Sequence, residues 1–276
     1  MSTFKHSPNR ILEAHRKGEV AFGLFLQSHS KEVIEVAAYA GYDFCLIEHE
    51  HCRTNLETML DMVRTCDAAG ITPIVRVDEL NRAKIRAAVE SGACGIMVPH
   101  IMSPEDARAA INACHYPPEG DCGICAVIRS ARYDNSTYDE YIDWVNKNVS
   151  THLLLEDVSA IEQAEAILDE MTPGRDTIHI GLGDIAGAIA KRGEPINWNP
   201  EYCTYAAEKV IKLAKERGIH IGGMGWPPTA SNYEGAKNAI EQGKSMILST
   251  PDIEMYYSMF KQYINDVAPL KKAKIK

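Results

Sequence analysis

Residues 42–51 read YDFCLIEHEH. An apolar run of strand length stops abruptly in Glu48, His49, Glu50 and His51, two carboxylates and two imidazoles in four consecutive positions. An apolar run with little polar alternation reads as a strand covered on both faces, the situation of a parallel sheet. The charged end then needs a reason. It is a metal site, an acid–base apparatus or a solvated turn.

Working outward, similar runs recur at 21–26 (AFGLFL), 71–77 (ITPIVRV), 94–100 (CGIMVPH), 152–156 (HLLLE), 177–181 (TIHIG), 219–225 (IHIGGMG) and 245–249 (SMILS). Longer stretches with helical periodicity separate them. SKEVIEVAAYAG opens on Ser30 and stops on Gly41, and NLETMLDMVRTCDAAG runs from Asn55 to Gly70. These are side-chain N-caps and glycine stops. SPEDARAAINAC carries Pro104 at the first helical position and acids in the first turn, both suited to a helix start. Gly92, Gly218 and Gly243 close further helices just before the next strand.

Eight strands, each followed by a helix or helical loop and undivided by any low-complexity linker, predict an α/β protein with one closed (β/α)8 TIM barrel. The expected domain spans 1–276, with roughly the first 18 and last 10 residues peripheral. An open doubly wound sheet would place a glycine-rich turn after its first strand. Here that turn is QSHSKE, without glycine.

The formal net charge is -9 and the isoelectric point about 5.6, which disfavours nucleic acid and anionic membranes as partners. No run approaches the roughly 18 apolar residues of a membrane span, and the first residues lack the apolar stretch of a signal peptide. A cytoplasmic location is the expectation. Of the eight cysteines, Cys122 and Cys125 form a lone C-x-x-C without a matching second pair. Reduced thiols are therefore expected rather than a zinc site or disulfides.

Chemistry in such a barrel gathers at the C-terminal strand ends. Those ends deliver Glu48 to His51, Arg76, His100, Glu156 with Asp157, and Asp184 in the GLGD loop. Glu156 and Asp184 lie 28 positions apart, one β/α repeat, and so top adjacent strands. Two carboxylates that close repel unless a cation lies between them or one is protonated, and an oxygen-rich pair suits Mg²⁺ or Mn²⁺. The alternative is a pair of helix caps, with Asp184 preceding IAGAIAK. Arg76 ends an apolar strand and must find an anion, either a substrate oxygen or a carboxylate such as Glu48 or Asp43. Glu48, three residues before His51, could orient that imidazole as a proton carrier; a surface turn is the plainer alternative. No strand end carries a lysine, so no Schiff base is implied.

The segments DFCLIEHEHCRTN, PIVRV, IMVPHI, YPPEGDCG, LLLED and IGLGD resemble, in order and spacing, the HpcH/HpaI aldolase family. These are class II, metal-dependent pyruvate aldolases such as 2,4-dihydroxyhept-2-ene-1,7-dioate aldolase and 2-dehydro-3-deoxyglucarate aldolase. The likeness runs from about residue 20 to residue 260. It implies a barrel of the pyruvate/phosphoenolpyruvate-binding type and a carbon–carbon lyase that reversibly cleaves a 4-hydroxy-2-oxo acid to pyruvate and an aldehyde. It also implies an enolate stabilised by a divalent metal (Mg²⁺, or Mn²⁺ or Co²⁺) and a homo-oligomer, typically a hexamer.

By position, Glu156 and Asp184 resemble the metal ligands, His51 the catalytic histidine, Glu48 its paired acid and Arg76 the arginine at the keto oxygen. Leu182 and Gly183 lie in the loop whose amides hold the pyruvate carboxylate. The chain departs from the family pattern at Leu154 (usually Gln), Cys122 (usually Arg), Leu182 (usually Pro) and His49 (usually Gly). Leu154 predicts a drier substrate pocket that favours an apolar or aromatic portion. The departures leave open an oxaloacetate-type 2-oxo acid decarboxylase or a non-catalytic binding barrel.

Overall fold

The computed structural model describes residues 6, 8–52, 54–224 and 232–272. Its strands are β1 (Ala21–Leu26), β2 (Phe44–Glu48), β3 (Thr72–Arg76), β4 (Gly95–Val98), β5 (Ser150–Leu155), β6 (Thr177–Ile180), β7 (His220–Met224) and β8 (Met246–Pro251). They pair in sequence order, all parallel, and β8 closes on β1. The architecture is the (β/α)8 barrel that the strand–helix alternation predicts.

Local chemistry sets the boundaries. Ser30, Asn55 and Ser103 each accept the N–H of a first-turn residue of the helix that follows. Gly41, Gly70, Gly92, Gly218 and Gly243 adopt left-handed φ values between 66° and 103°, where a Cβ would be strained. The expected seventh strand narrows to its central residues, and Gly225 of that run lies outside the described residues. The fifth begins two residues early, at Ser150, because that residue pairs with Gly95 on β4. Its hydroxyl turns inward and meets His152, so polar character does not mark the strand's start.

Alternate strand residues face opposite sides. Ile47, Val75, Ile96, Leu153 and Ile178 pack outward against helix residues such as Met62, Ile85 and Ile111. Inward-facing Phe44, Leu46, Ile74, Met97, Met246 and Leu248 form a second cluster inside the barrel.

The N-terminal residues correct the expectation of a peripheral segment. The helix Arg10–Arg16 buries Ile11 and Leu12, and Ile11 and Ala14 join the interior cluster. Asn9 fixes this plug: its Oδ1 caps the helix and its Nδ2 donates to the carbonyls of Cys94 and Asn148. Periodicity over one short helix does not distinguish a floor plug from a loose leader. At the other end, Ala268–Lys272 forms a short 3-10 turn after the final helix Asp252–Val267.

No helix among the described residues is long and apolar enough to cross a membrane. All eight cysteines are free thiols; Cys122 is buried and Cys125 exposed.

Candidate active site

The end of β2 answers the question posed by EHEH. Glu48 is fully buried and stands in register with Arg76 of β3. Its Oε1 accepts the backbone N–H groups of Glu50 and His51, the latter at 3.0 Å, which folds the chain back over the barrel mouth. Its Oε2 accepts from Arg76 Nε and pairs with Nη2. The guanidinium also pairs with Glu50 Oε2 at 3.1 Å through Nη1 and lies 5.3 Å from the centre of the Phe25 ring. A buried arginine–carboxylate pair is tolerable only when its hydrogen bonds are well made. Here two acids and an aromatic face fix the plane of Arg76.

Glu48 therefore does not hold the His51 imidazole; it holds the His51 backbone. The acid nearest that ring is Glu50, whose Oε2 lies 3.7 Å from His51 Nε2. The His51 side chain is exposed. His49 points elsewhere: burial, helped by neighbouring His29, pulls its pKa down to about 4, so it is neutral at physiological pH.

Between β4 and β5 sits His100, whose φ of 51° is left-handed. Its backbone N–H donates to Glu156 Oε1 at 2.9 Å. Its Nδ1 lies 3.1 Å from Asp157 Oδ2 and 3.6 Å from Glu156 Oε1, and its Nε2 lies 3.6 Å from Glu50 Oε1. Burial pulls this imidazole's pKa down, but the Asp157 hydrogen bond and the charges of Glu156, Asp157 and Glu50 outweigh it, and the net shift is upward.

Glu156 is 3% exposed. Burial raises its pKa to about 7 against the opposing His100 N–H, and the charges of Glu50 and Asp184 push it further up. Glu50 is likewise raised, mainly by burial and against the pull of Arg76. A Cβ on Gly181 of the next strand end would overlap the Glu156 side chain, so that glycine makes the room Glu156 occupies. Asp184 is exposed in the first turn of the helix Leu182–Ala188, whose N-cap is Gly181. It does not cap that helix. Around Gly183 a Cβ would meet open space.

Glu50, His100 and Glu156 offer donor atoms that all lie within 4.8 Å of one another, a geometry able to hold a metal ion. Two buried carboxylates of raised pKa with an imidazole between them form a donor set short of positive charge, and a divalent cation fits it.

The sequence places Glu50 and His100 at strand ends, but the expected metal pair of Glu156 and Asp184 left both out. The signal was available, because β4 and β5 are neighbours just as β5 and β6 are, and the residue after MVP tops β4. Leu154 faces inward on the same side of β5 as His152 and Glu156 and is buried. It stands opposite His179 of β6.

A strand-end cluster of acids, a fixed arginine and an accessible histidine stands where a closed parallel barrel places its chemistry. A family profile for HpcH/HpaI aldolase/citrate lyase matches residues 21–247, and the chain belongs to that family. It is 29% identical over 243 residues to the 2-dehydro-3,6-dideoxy-6-sulfogluconate aldolase of Pseudomonas putida, covering 88% of this chain and 91% of that one. It is 27% identical over 268 residues to the 2-keto-3-deoxy-L-rhamnonate aldolase of Salmonella dublin, covering 96% and 97%. Among solved structures, an HpcH/HpaI aldolase/citrate lyase family protein from Burkholderia cenocepacia J2315 superposes with a TM-score of 0.82 at 25% identity, covering 94% and 99%. The protein is an enzyme, a class II aldolase.

Proposed function

We propose that the barrel mouth cleaves a 4-hydroxy-2-oxo acid to pyruvate and an aldehyde, with Glu156 and Asp184 among the ligands of a divalent cation and His51 as the proton carrier. The observation that carries this reading is the meeting of Glu50, His100 and Glu156 beside an arginine already held in place by Glu48. A divalent cation in this donor set, Mg²⁺, Mn²⁺ or Co²⁺, supplies the Lewis acidity that polarises a 2-oxo group.

The chain's own residues do the rest. Glu48 and Glu50 engage Nε, Nη2 and Nη1 of Arg76, and a guanidinium has five N–H donors. The remaining N–H groups are available to the keto oxygen, where negative charge grows as the bond between C3 and C4 breaks. The first-turn N–H groups at Leu182 and Gly183 lack intrahelical partners and suit the substrate carboxylate. His51 takes the proton of the 4-hydroxyl as the aldehyde departs. The electron pair passes into the pyruvate fragment, whose C3 is then protonated.

Two further features complete the reading. The final helix, Asp252–Val267, exposes Tyr257, Met259, Phe260, Tyr263 and Ile264, an apolar face that supports a homo-oligomer. The free thiols support a reducing, cytoplasmic setting.

Replacing Glu156 or Asp184 with alanine tests the site. Pyruvate release should fall on the order of 10³-fold, the scale of several kcal/mol of lost metal catalysis, and calorimetric metal affinity should fall with it while circular dichroism is unchanged. A Glu156→Ala enzyme with full metal-dependent turnover would falsify the assignment.

A further inference from the structure

We infer that His100 contributes its Nε2 as a nitrogen ligand to the divalent cation, with Asp157 holding the ring for that purpose. This rests on the proposed metal-dependent function and adds a ligand to it.

Four features of the structure converge on His100. Its left-handed φ of 51° is costly for a residue with a Cβ, and such conformations persist where the surroundings enforce them. The enforced geometry does two things at once. It aims the backbone N–H at Glu156 Oε1 at 2.9 Å, and it stands the imidazole between Glu50, Glu156 and Asp157. Asp157 Oδ2, at 3.1 Å, accepts the Nδ1 proton and so fixes the tautomer. The lone pair of Nε2 is then left on the side of Glu50 Oε1, 3.6 Å away. A carboxylate behind a histidine that ligates through its other nitrogen is a recurrent metal arrangement.

The spacing puts the donors within reach of one cation: Nε2 lies 3.6 Å from Glu50 Oε1, and donor atoms of Glu50, His100 and Glu156 all lie within 4.8 Å of one another. A mixed nitrogen and oxygen set favours Mn²⁺, Co²⁺ or Zn²⁺ over Mg²⁺, which prefers oxygen alone. The competing role is a protonated imidazole that merely offsets the three acids. A cation entering the site would repel that form, and no metal–nitrogen bond would exist.

The two roles separate spectroscopically. The full-length protein is loaded with Mn²⁺ and studied by pulsed electron paramagnetic resonance. Histidine ligation shows as ¹⁴N modulation that changes on ¹⁵N-histidine labelling. The informative variant is His100→Gly, which tolerates the left-handed backbone and keeps the N–H to Glu156 while removing the ring; His100→Asn is the second variant should the first not fold. The expected result is ¹⁴N modulation in the wild type and its loss in both variants. Calorimetry should then show Co²⁺ affinity reduced on the order of 10–100-fold and Mg²⁺ affinity changed far less. Mn²⁺ bound without histidine modulation, or modulation that survives in His100→Gly, overturns the inference and leaves the lyase reading intact. Failure of the wild type to bind any divalent ion, with pyruvate release indifferent to chelator, overturns both.

Discussion

The two ends of the barrel both gather polar side chains, and they treat them in opposite ways. At the mouth the groups are charged and crowded: Glu48, Glu50, Arg76, His100, Glu156 and Asp157. At the floor they are neutral imidazoles. His152 Nδ1 meets His179 Nε2 at 3.3 Å and its Nε2 meets Ser150 Oγ at 2.8 Å. His15 of the plug helix stacks on His220 at 3.6 Å and contacts the Ser245 carbonyl.

Burial lowers the pKa of every one of these floor histidines, to about 4 for His15 and about 3 for His179. Two strand glycines make their room, since a Cβ at Gly222 would overlap the His179 ring and one at Gly95 would crowd His152. His100 differs in exposure, its side chain opening to solvent at the rim, and in its neighbours. Three carboxylates reverse the effect of burial. Protonation inside this barrel is thus set by which strand ends supply acids, and the division of labour follows. The mouth should answer to changes in chemistry and the floor to changes in stability.

The largest effect that sharpens this contrast lies at the mouth. His51→Ala should slow aldol cleavage by roughly 10²–10⁴, the usual share of a general acid–base group, without lowering metal affinity. His49→Ala should be much milder, because a histidine with a pKa near 4 carries no useful proton at neutral pH. Steady-state kinetics of pyruvate release beside calorimetric metal titration reads both. Equal loss of metal in the two variants would turn EHEH into a histidine metal site instead.

At the floor the readout is acid stability. Because the folded-state pKa values lie below the free value of 6.5, the native protein refuses protons that the unfolded chain accepts. Stability is therefore full above pH 6.5 and is lost as pH falls towards 3–4. For His179 alone the difference amounts to about 2 kcal/mol at pH 5. Unfolding midpoints should drop between pH 6.5 and 4, and the double variant His152→Gln/His179→Gln should flatten that slope while retaining pyruvate release at neutral pH. A slope unchanged in the double variant would mean that the floor imidazoles do not govern acid unfolding.

These contrasts explain what could be read from the sequence. The barrel was legible because its signals are local: apolar runs, capping side chains and left-handed glycines each act within a turn or two. Arg76 was legible as a cation in need of an anion, with Glu48 one of the candidates, and the parallel register of the two strand ends brings that pair together. What stayed hidden depends on tertiary direction. The inward turn of Ser150 and His152 leaves no mark in a run that reads STHLLL, since a strand closed into a barrel hides either face equally well. His100 was legible as a strand-end residue, but its meeting with Glu50, Glu156 and Asp157 depends on a left-handed backbone turn that no residue type announces. The plug helix was missed because its burial depends on the barrel above it.

Leu154 stands where the two regions meet, and there the expected effect is smallest. It faces inward between His152 and Glu156, is 7% exposed and lies in register with His179, so it separates the neutral floor from the charged mouth. A leucine neither donates nor accepts a hydrogen bond, and polar substrate groups placed against it lose solvation without compensation. The wall beside Glu156 should therefore favour an aldehyde with an apolar or aromatic portion over a polyhydroxylated one. A glutamine there would offer an amide to hydroxyl groups and bring polarity close to His179. Leu154→Gln should shift the kcat/KM ratio for a benzaldehyde-like against a glyceraldehyde-like acceptor by about tenfold towards the hydroxylated one, the scale on which a single pocket contact discriminates. Competition assays with both acceptors in one vessel measure the ratio directly. An unchanged ratio would mean that Leu154 only insulates the floor from the mouth and that specificity is set by other residues around the opening.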